Sequence, residues 1–565
     1  MNRSWNVQKS TQKDLIAQLL ANRGLKTPDQ IEAFLRPDYK QLNDPFLFKD
    51  MRKAVSRVWQ AVENKDKVLI YSDYDADAVT ANAVLFKMFE FLGLKPEVYI
   101  PDRFSEGYGL NVAAFEKFKS QGIDLVLTVD CGTNSVEEAE FCKANGIDLI
   151  ITDHHEITGE TPDAYALINP KNPNDVYPYD QLVGVAVAFK LASAVLSQRG
   201  RIEKNNLDIP QGYEKWLLDL VAIGTVADCH SLIGENRILV KYGLKVLQKT
   251  KWPGLKILLD LAGTAGRPID TYTLGFIIAP RINAAGRIEH ASSAFNLLVS
   301  NDPAEALKLA QGLDALNTRR QQITERVMSD AREQAALIAE RKVLMVSGVD
   351  WPKGVVGLVA GKLAEEYAKP VLVMERGAEE STGSARSIPS FNVVEALKHS
   401  KDVLLKFGGH AAAAGFTLKT ENLDIFYKNL LDFADNNIND NDLTKVIEID
   451  AEMRPDDITV QVAETLEAFE PFGVDNNKPK FMISNVEVGE CRGVGNESKH
   501  LQLSVSARMK DGSSKVLKCI AFNFGKMIGQ LPVGEKIDLA FELLTDTWQG
   551  RKNIKLRVID FRKAV

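Results

Sequence analysis

Cysteine is scarce in this chain. There are five in 565 residues, an odd number without a Cys-x-x-Cys pair. That argues against a disulfide framework or a thiolate-built zinc site and fits free thiols in a reducing compartment. No apolar stretch approaches the roughly 20 residues of a membrane span. The start, Met1-Asn2-Arg3-Ser4-Trp5-Asn6, lacks an apolar signal core, so the expectation is a cytoplasmic protein without a membrane anchor. Excess positive charge is missing too. A net charge of −7 argues against nonspecific coating of nucleic acid, while leaving room for local basic surfaces. There is no solenoid repeat, and the one biased tract is the polar loop Asn436 to Asp442. What remains is an ordinary globular composition, 45% hydrophobic and 26% charged, long enough for roughly three or four domains.

Three short apolar runs each end in carboxylate or imidazole. Val68-Leu69-Ile70-Tyr71 leads into Asp73-Tyr74-Asp75-Ala76-Asp77, Leu125-Val126-Leu127-Thr128-Val129 into Asp130-Cys131-Gly132, and Leu149-Ile150-Ile151-Thr152 into Asp153-His154-His155. Aliphatic runs without polar alternation suit strands buried on both faces of a parallel sheet. Helical patterns lie between them: Val79 to Leu92, Ala113 to Ser120, and a third opened by the capping-box spacing Ser135-Val136-Glu137-Glu138. This alternation predicts a doubly wound α/β sheet, whose ligands bind beyond the carboxyl ends of the strands. The acids and histidines occupy those ends. Carboxylates with imidazoles and no cysteine pattern favour Mn²⁺ or Mg²⁺. Two such ions, about 3.5–4 Å apart, can position a water against phosphorus and stabilise a leaving oxygen. Without cations, so many clustered carboxylates would repel one another.

The expected organisation is a helical cap over 1–45, the doubly wound domain over 46–300, and a connector over 301–342. A second α/β domain over 343–440 and a small β-barrel over 441–565 complete it. The connector, charged and proline-free after Pro303, reads as a long helix or helix pair and as a solvated spacer. The second α/β segment opens with Val343-Leu344-Met345-Val346 and carries Gly354-Val355-Val356-Gly357, Gly383-Ser384-Ala385-Arg386-Ser387 and Gly408-Gly409-His410. The barrel is read from alternating runs at Leu501 to Val505, Leu517 to Phe522 and Ile554 to Val558, with a turn at Asp511-Gly512.

These motifs, in this order, resemble the RecJ-type single-strand-specific DNA exonucleases of the DHH phosphoesterase superfamily. Beyond the three strand ends, the resemblance takes in Gly224-Thr225-Val226-Ala227-Asp228 and Pro280-Arg281-Ile282-Asn283-Ala284-Ala285-Gly286-Arg287. It continues through Phe407-Gly408-Gly409-His410, Ala413-Ala414-Gly415 and Glu470-Pro471-Phe472-Gly473. It implies a DHH domain, a DHHA1-like second domain and a C-terminal OB fold. It implies further that Asp75, Asp77, Asp130, His154 and Asp228 hold two divalent cations, with Asp130 bridging. His155 would face the scissile phosphate, Asp73 would lie at the edge of the site as a ligand or orienting group, and His410 would close over the phosphate. Arg103, Arg281, Ser384 and Arg386 would bind the terminal 5′ phosphate, for which guanidinium forks are suited. Single-stranded DNA is the implied substrate, degraded 5′ to 3′ to mononucleotides in DNA repair and recombination. A single-strand-binding protein and a helicase are the implied partners of a monomer.

Each feature also has a plainer reading. Asp75 or Asp77 can cap a helix, Asp228 can serve a turn, and Arg281 and Arg386 can form ordinary ion pairs. Phe522, Phe524 and Trp548 are candidates for base stacking, with core packing the favoured alternative. The chain departs from the family pattern at Tyr71, Ala78, Cys229-His230-Ser231, Trp351-Pro352-Lys353-Gly354, Asp475 and Asn477; His230 is given no place in the site. Two other functions share much of the pattern: a phosphodiesterase of short oligonucleotides or cyclic dinucleotides, and a non-catalytic replication or repair scaffold.

Overall fold

The structure is a computed structural model. It describes residues 3–12, 14–103, 105–548 and 551–564, with the side chains of 547, 548 and 551 left outside the description. The chain forms two compact units. One comprises Trp5–Pro101, Glu106–Ala279 and Ile447–Val565; the other is built on Pro280–Val446 and includes Arg103.

In the first unit a five-stranded parallel sheet runs in the order Glu97–Tyr99, Val68–Ser72, Leu125–Val129, Asp148–Thr152, Ala166–Ile168. Val68–Ser72 and Leu125–Val129 are buried along their whole length, as the unbroken apolar runs predict. The chain goes from the interior strand Val68–Ser72 outward to the edge strand Glu97–Tyr99, then returns to the other side for Leu125–Val129. The strand order therefore reverses between Val68–Ser72 and Leu125–Val129. A ligand crevice opens at such a reversal, outside the carboxyl ends of the strands.

Helix Ala76–Phe91 is buried almost all round, including Asp77, Thr80 and Asn82. A helix enclosed in this way packs on several neighbours, here Gly184–Leu196 and Leu218–Ala227 as well as the sheet. It starts three residues before the predicted Val79. The Ser135 capping box does not form: Val136–Asn145 begins as expected, but the serine makes no side-chain cap bond.

The same unit contains a closed barrel of five strands. Phe481–Val494, His500–Arg508, Ser514–Ala521, Arg551–Lys563 and Lys536–Trp548 pair in that order, and Lys536–Trp548 pairs back to Phe481–Val494. Burial alternates along His500–Arg508, placing Leu501, Leu503, Val505 and Ala507 in a core with Leu517, Phe541 and Leu556. Phe524 packs against this core. Phe522 does not: it is 45% exposed, with Arg557 5.9 Å from its ring centroid and the His500 ring at 5.2 Å. The core reading is thus corrected for Phe522, while the Trp548 side chain lies outside the described residues.

Arg237 ties several elements of this unit together. Its guanidinium, 1% exposed, donates to the carbonyls of Phe34, Ala468, Phe469, Glu470 and Pro471. It also lies 3.9 Å from the centroid of the Phe34 ring. Glu470 and Pro471 of the Glu470-Pro471-Phe472-Gly473 motif, with Ala468 and Phe469 just before it, thus supply backbone acceptors for one buried cation.

In the second unit the connector is one helix, Pro303–Leu337, capped by Asp302. It buries a stripe from Ala306 to Ala335 rather than standing wholly in solvent. The sheet order is Leu404–His410, Ala413–Lys419, Glu380–Arg386, Val371–Arg376, Leu344–Gly348, antiparallel except for the last pair. Helices Lys353–Tyr367, Val393–His399 and Leu423–Asn437 complete this α/β unit. The last of them runs into the tract read as a polar loop.

Candidate metal centre

Strand Val68–Ser72 ends in the acidic loop, and its first product is a cap. Asp75 accepts from the Ala78 N–H at 3.0 Å and starts helix Ala76–Phe91. Asp77, the second residue of that helix, is 1% exposed. Its two oxygens accept from Gly184 N at 2.7 Å and Val185 N at 2.9 Å, the first residues of helix Gly184–Leu196. A carboxylate is favoured at a helix N-terminus by the free N–H groups and the dipole. Capping and membership of an acidic cluster are therefore not alternatives: both aspartates cap helices and stand in the cluster.

Asp130 follows Leu125–Val129 in a left-handed conformation, φ +60°, and is 3% exposed. Its Oδ1 lies 3.0 Å from His154 Nε2. Asp228 ends helix Leu218–Ala227, and its Oδ2 lies 3.7 Å from the same His154 nitrogen. Two glycines permit this convergence. A Cβ on Gly184 would sit 2.6–2.8 Å from Asp130 side-chain atoms. One on Gly224 would meet Thr80 Oγ1 at 2.4 Å and Asp77 Oδ1 at 2.7 Å. Helix Leu218–Ala227 can thus approach Asp77 closely, which delivers Asp228 one turn later.

Asp153 is not free to ligate. One oxygen accepts from Thr133 N at 2.9 Å, while the other accepts from His154 N at 2.7 Å, His155 N at 3.2 Å and His155 Nδ1 at 2.7 Å. That set fixes the orientation of His155, whose ring also has the Tyr108 hydroxyl at 3.3 Å. Asp73 is 5% exposed and lies within electrostatic reach of Tyr108 and Cys131. Tyr71 is turned away from the cluster, its hydroxyl donating to the Gly109 carbonyl at 2.9 Å and its ring packed with Tyr99, Phe115 and Phe118.

Electrostatics describe a site short of positive charge. Burial, then Asp77, Asp75 and Asp228, push the Asp130 carboxyl well above its ordinary range. Burial, then Asp228 and Asp75, do the same to Asp77, against the lowering effect of its two backbone donors. Asp228 is pushed up to about 7 by burial and Asp75. His154 is held down to about 3 by burial and the neighbouring His155. For His155, burial is the largest effect, but the bond to Asp153 and the charges of Asp153, Asp228 and Asp75 together outweigh it, and its affinity for a proton rises. Asp130 Oδ1, Asp228 Oδ2 and His154 Nδ1 are buried atoms without hydrogen-bond partners among the described residues. Orphaned oxygens on crowded carboxylates, with an imidazole held neutral, fit one or more divalent cations.

Sequence reasoning missed Gly184, the orienting role of Asp153, and His230. His230 Nε2 lies 3.2 Å from Asp228 Oδ2, with its ring 5.0 Å from that of His154. The structure thus places it beside the cluster from which the sequence reading left it out.

The other expected substrate residues belong to the second unit. In its sheet Ala413 pairs with both His410 and Arg386, while Gly415 pairs with Gly408 and Ser384. His410, Arg386 and Ser384 therefore share one face, since paired residues and those two apart along a strand point the same way. Arg386 donates to Ser384 Oγ at 2.8 Å. Burial lowers its proton affinity and so does Arg103, whose positive charge it feels. A Cβ on Gly357 would come within 3.1 Å of Ser384 Oγ and 3.2 Å of the Arg386 guanidinium. Arg281 is engaged by Asp314 at 2.9 Å, and His410 is exposed.

Comparison with known proteins follows this architecture. The DHH family N-terminal domain matches residues 67–225, the DHHA1 domain 340–440 and the RecJ OB domain 449–560. The chain is similar to the single-stranded-DNA-specific exonuclease RecJ of Bacillus subtilis (strain 168), at 38% identity over 549 residues, covering 97% of this chain and 67% of that one. It is similar to the crystal structure of RecJ in complex with Mn²⁺ from Thermus thermophilus, with TM-score 0.82 and 28% identity, covering 100% of this chain and 80% of that chain. The corresponding complex with Mg²⁺ gives TM-score 0.77 and 27% identity, covering 100% and 79%.

Proposed function

Because the chain belongs to the RecJ family of single-stranded-DNA-specific exonucleases, we propose that it hydrolyses single-stranded DNA from the 5′ end to mononucleotides, using two divalent cations, Mn²⁺ or Mg²⁺. The observation that carries this reading is the convergence of Asp77, Asp130, His154 and Asp228 at the strand-order reversal, with Asp130 Oδ1 and Asp228 Oδ2 left without hydrogen-bond donors among the described residues.

Asp75, Asp77, Asp130, His154 and Asp228 would hold the ions, Asp130 being the residue expected to serve both. When bound, the cations supply Lewis-acid stabilisation of charge on the phosphoryl and leaving oxygens. His155, braced by Asp153, presents its ring to the scissile phosphate, and Asp73 orients the edge of the site. Ser384, Arg386 and Arg103 form an anion-binding cluster for the terminal phosphate, with Arg281 and His410 as further substrate contacts. Selection for one strand comes from phosphate contacts and stacking rather than base-edge reading, and Phe522 beside Arg557 on the barrel is suited to stacking. The free cysteines suit a reducing cytoplasm, and no described helix is long and apolar enough to cross a membrane. A role in repair beside a single-strand-binding protein and a helicase, as a monomer, completes the reading.

Asp130→Ala tests the metal assignment. It is expected to abolish turnover while the circular dichroism spectrum stays unchanged; near-normal turnover would remove the assignment.

A further inference from the structure

His230 follows Asp228 by two residues in a short loop, and nothing in that spacing predicts that it should return to the cluster. The intervening Cys229 is left-handed, φ +57°, which reverses the chain and brings the imidazole back over Asp228. The ring is half-buried. Its Nε2 stands 3.2 Å from Asp228 Oδ2, while His154 Nε2 is 3.7 Å from that oxygen and 3.0 Å from Asp130 Oδ1. Adjacent ligands about 2.1 Å from an octahedral ion are separated by roughly 3 Å, so these spacings have the scale of a ligand shell. A second observation points the same way: Asp130 Oδ1, in a side chain only 3% exposed, has no hydrogen-bond partner among the described residues and faces the same His154 nitrogen.

We propose that His230 Nε2 is an additional ligand of the cation held by Asp228 and biases that position toward Mn²⁺ over Mg²⁺. The inference rests on the two-cation reading above. The bias follows from ligand chemistry. Mg²⁺ keeps to oxygen ligands and retains its waters; Mn²⁺ also favours oxygen donors but, as a transition ion, accepts an imidazole nitrogen more readily than Mg²⁺ does. With His230, the Asp228 position gains a second imidazole beside His154.

The competing role is orientation, in which His230 only positions the Asp228 carboxylate and does not touch the ion. Glutamine can offer an amide N–H to Asp228 but has no imidazole nitrogen, and its amide oxygen suits Mg²⁺ as well as Mn²⁺, so His230→Gln separates the two roles and His230→Leu removes both. The experiment is a Mn²⁺ titration of the metal-stripped full chain, with free Mn²⁺ read by electron paramagnetic resonance, followed by displacement with Mg²⁺. Metal loss of roughly 10-fold or more in affinity is the scale for removing a supporting group at a metal site. The expected result is that both variants weaken one class of Mn²⁺ site by at least about 10-fold and change Mg²⁺ affinity by less than about 2-fold. Wild-type Mn²⁺ affinity in His230→Gln, or equal weakening for both ions, would overturn the proposal. Wild-type protein without saturable Mn²⁺ binding, or Asp130→Ala binding as wild type does, would instead overturn the two-cation reading on which it stands.

Discussion

Gly184→Ala is a one-carbon change expected to disable the site from behind. The added Cβ would lie 2.6 Å from Asp130 Cβ, 2.7 Å from Oδ1 and 2.8 Å from Cγ. Ordinary carbon contacts begin near 3.5 Å, so Asp130 or the start of helix Gly184–Leu196 must move by about 1 Å. Neither yields easily. Asp130 is buried on a left-handed backbone, and the helix start is held by the Asp77 carboxylate through Gly184 N and Val185 N. Overpacking of this kind costs about 1–3 kcal/mol, and a 1 Å displacement of a reacting group can cost about 10²-fold in rate. The matched control is Gly200→Ala, where the added carbon meets nothing within 4 Å and helix propensity predicts a slight gain of up to ~1 kcal/mol. Single-turnover cleavage of single-stranded DNA and thermal unfolding would be measured on both variants. Wild-type cleavage by folded Gly184→Ala protein would refute the claim that Asp130 must stay where it is.

Two further changes probe the frame around the site. Arg237→Leu leaves five carbonyl acceptors without their buried donor, and a loss of about 3–5 kcal/mol in urea unfolding is expected; a loss under ~1 kcal/mol would show that water replaces the guanidinium readily. Lys87 is fully buried, its Nζ without a hydrogen-bond partner among the described residues and 4.0 Å from the Trp252 ring centroid, and burial lowers its ammonium to about 8 from 10.5. Between those values the unfolded chain holds a proton that the folded chain has released, so raising pH through that window stabilises the fold, by up to ~3 kcal/mol. Lys87→Met should be the more stable protein near pH 7, its advantage shrinking as pH rises through the window; a gap independent of pH in urea unfolding would contradict this.

The strands and their acidic ends were legible because a parallel sheet buried on both faces leaves an unbroken apolar run, and the strand-order reversal puts its ligands at the run's end. Asp130 and Asp228 were legible as residues but not as conformations. A left-handed backbone at Asp130 and Cys229 is set by tertiary packing rather than by a glycine in the sequence, and for that reason His230 was excluded. Gly184 gave no local signal, since its role is to admit a side chain more than 50 positions away. The Ser135 capping box failed because local spacing permits a cap without requiring one. Phe522 was misjudged for a related reason: strand alternation carries through Ala521, and the chain then leaves the strand, exposing the ring.

The chain belongs to a family of single-stranded-DNA-specific exonucleases, and the proposal is that it needs a divalent cation and shortens single strands from the 5′ end. The direct measurement is degradation of a 5′-phosphorylated single-stranded DNA labelled at its 3′ end, with Mn²⁺, Mg²⁺ or chelator, beside the corresponding duplex and a 3′-phosphorylated strand. The account predicts metal-dependent shortening confined to the single strand and beginning at the 5′ end. Shortening from the 3′ end, equal attack on duplex, or cleavage that survives the chelator would contradict it.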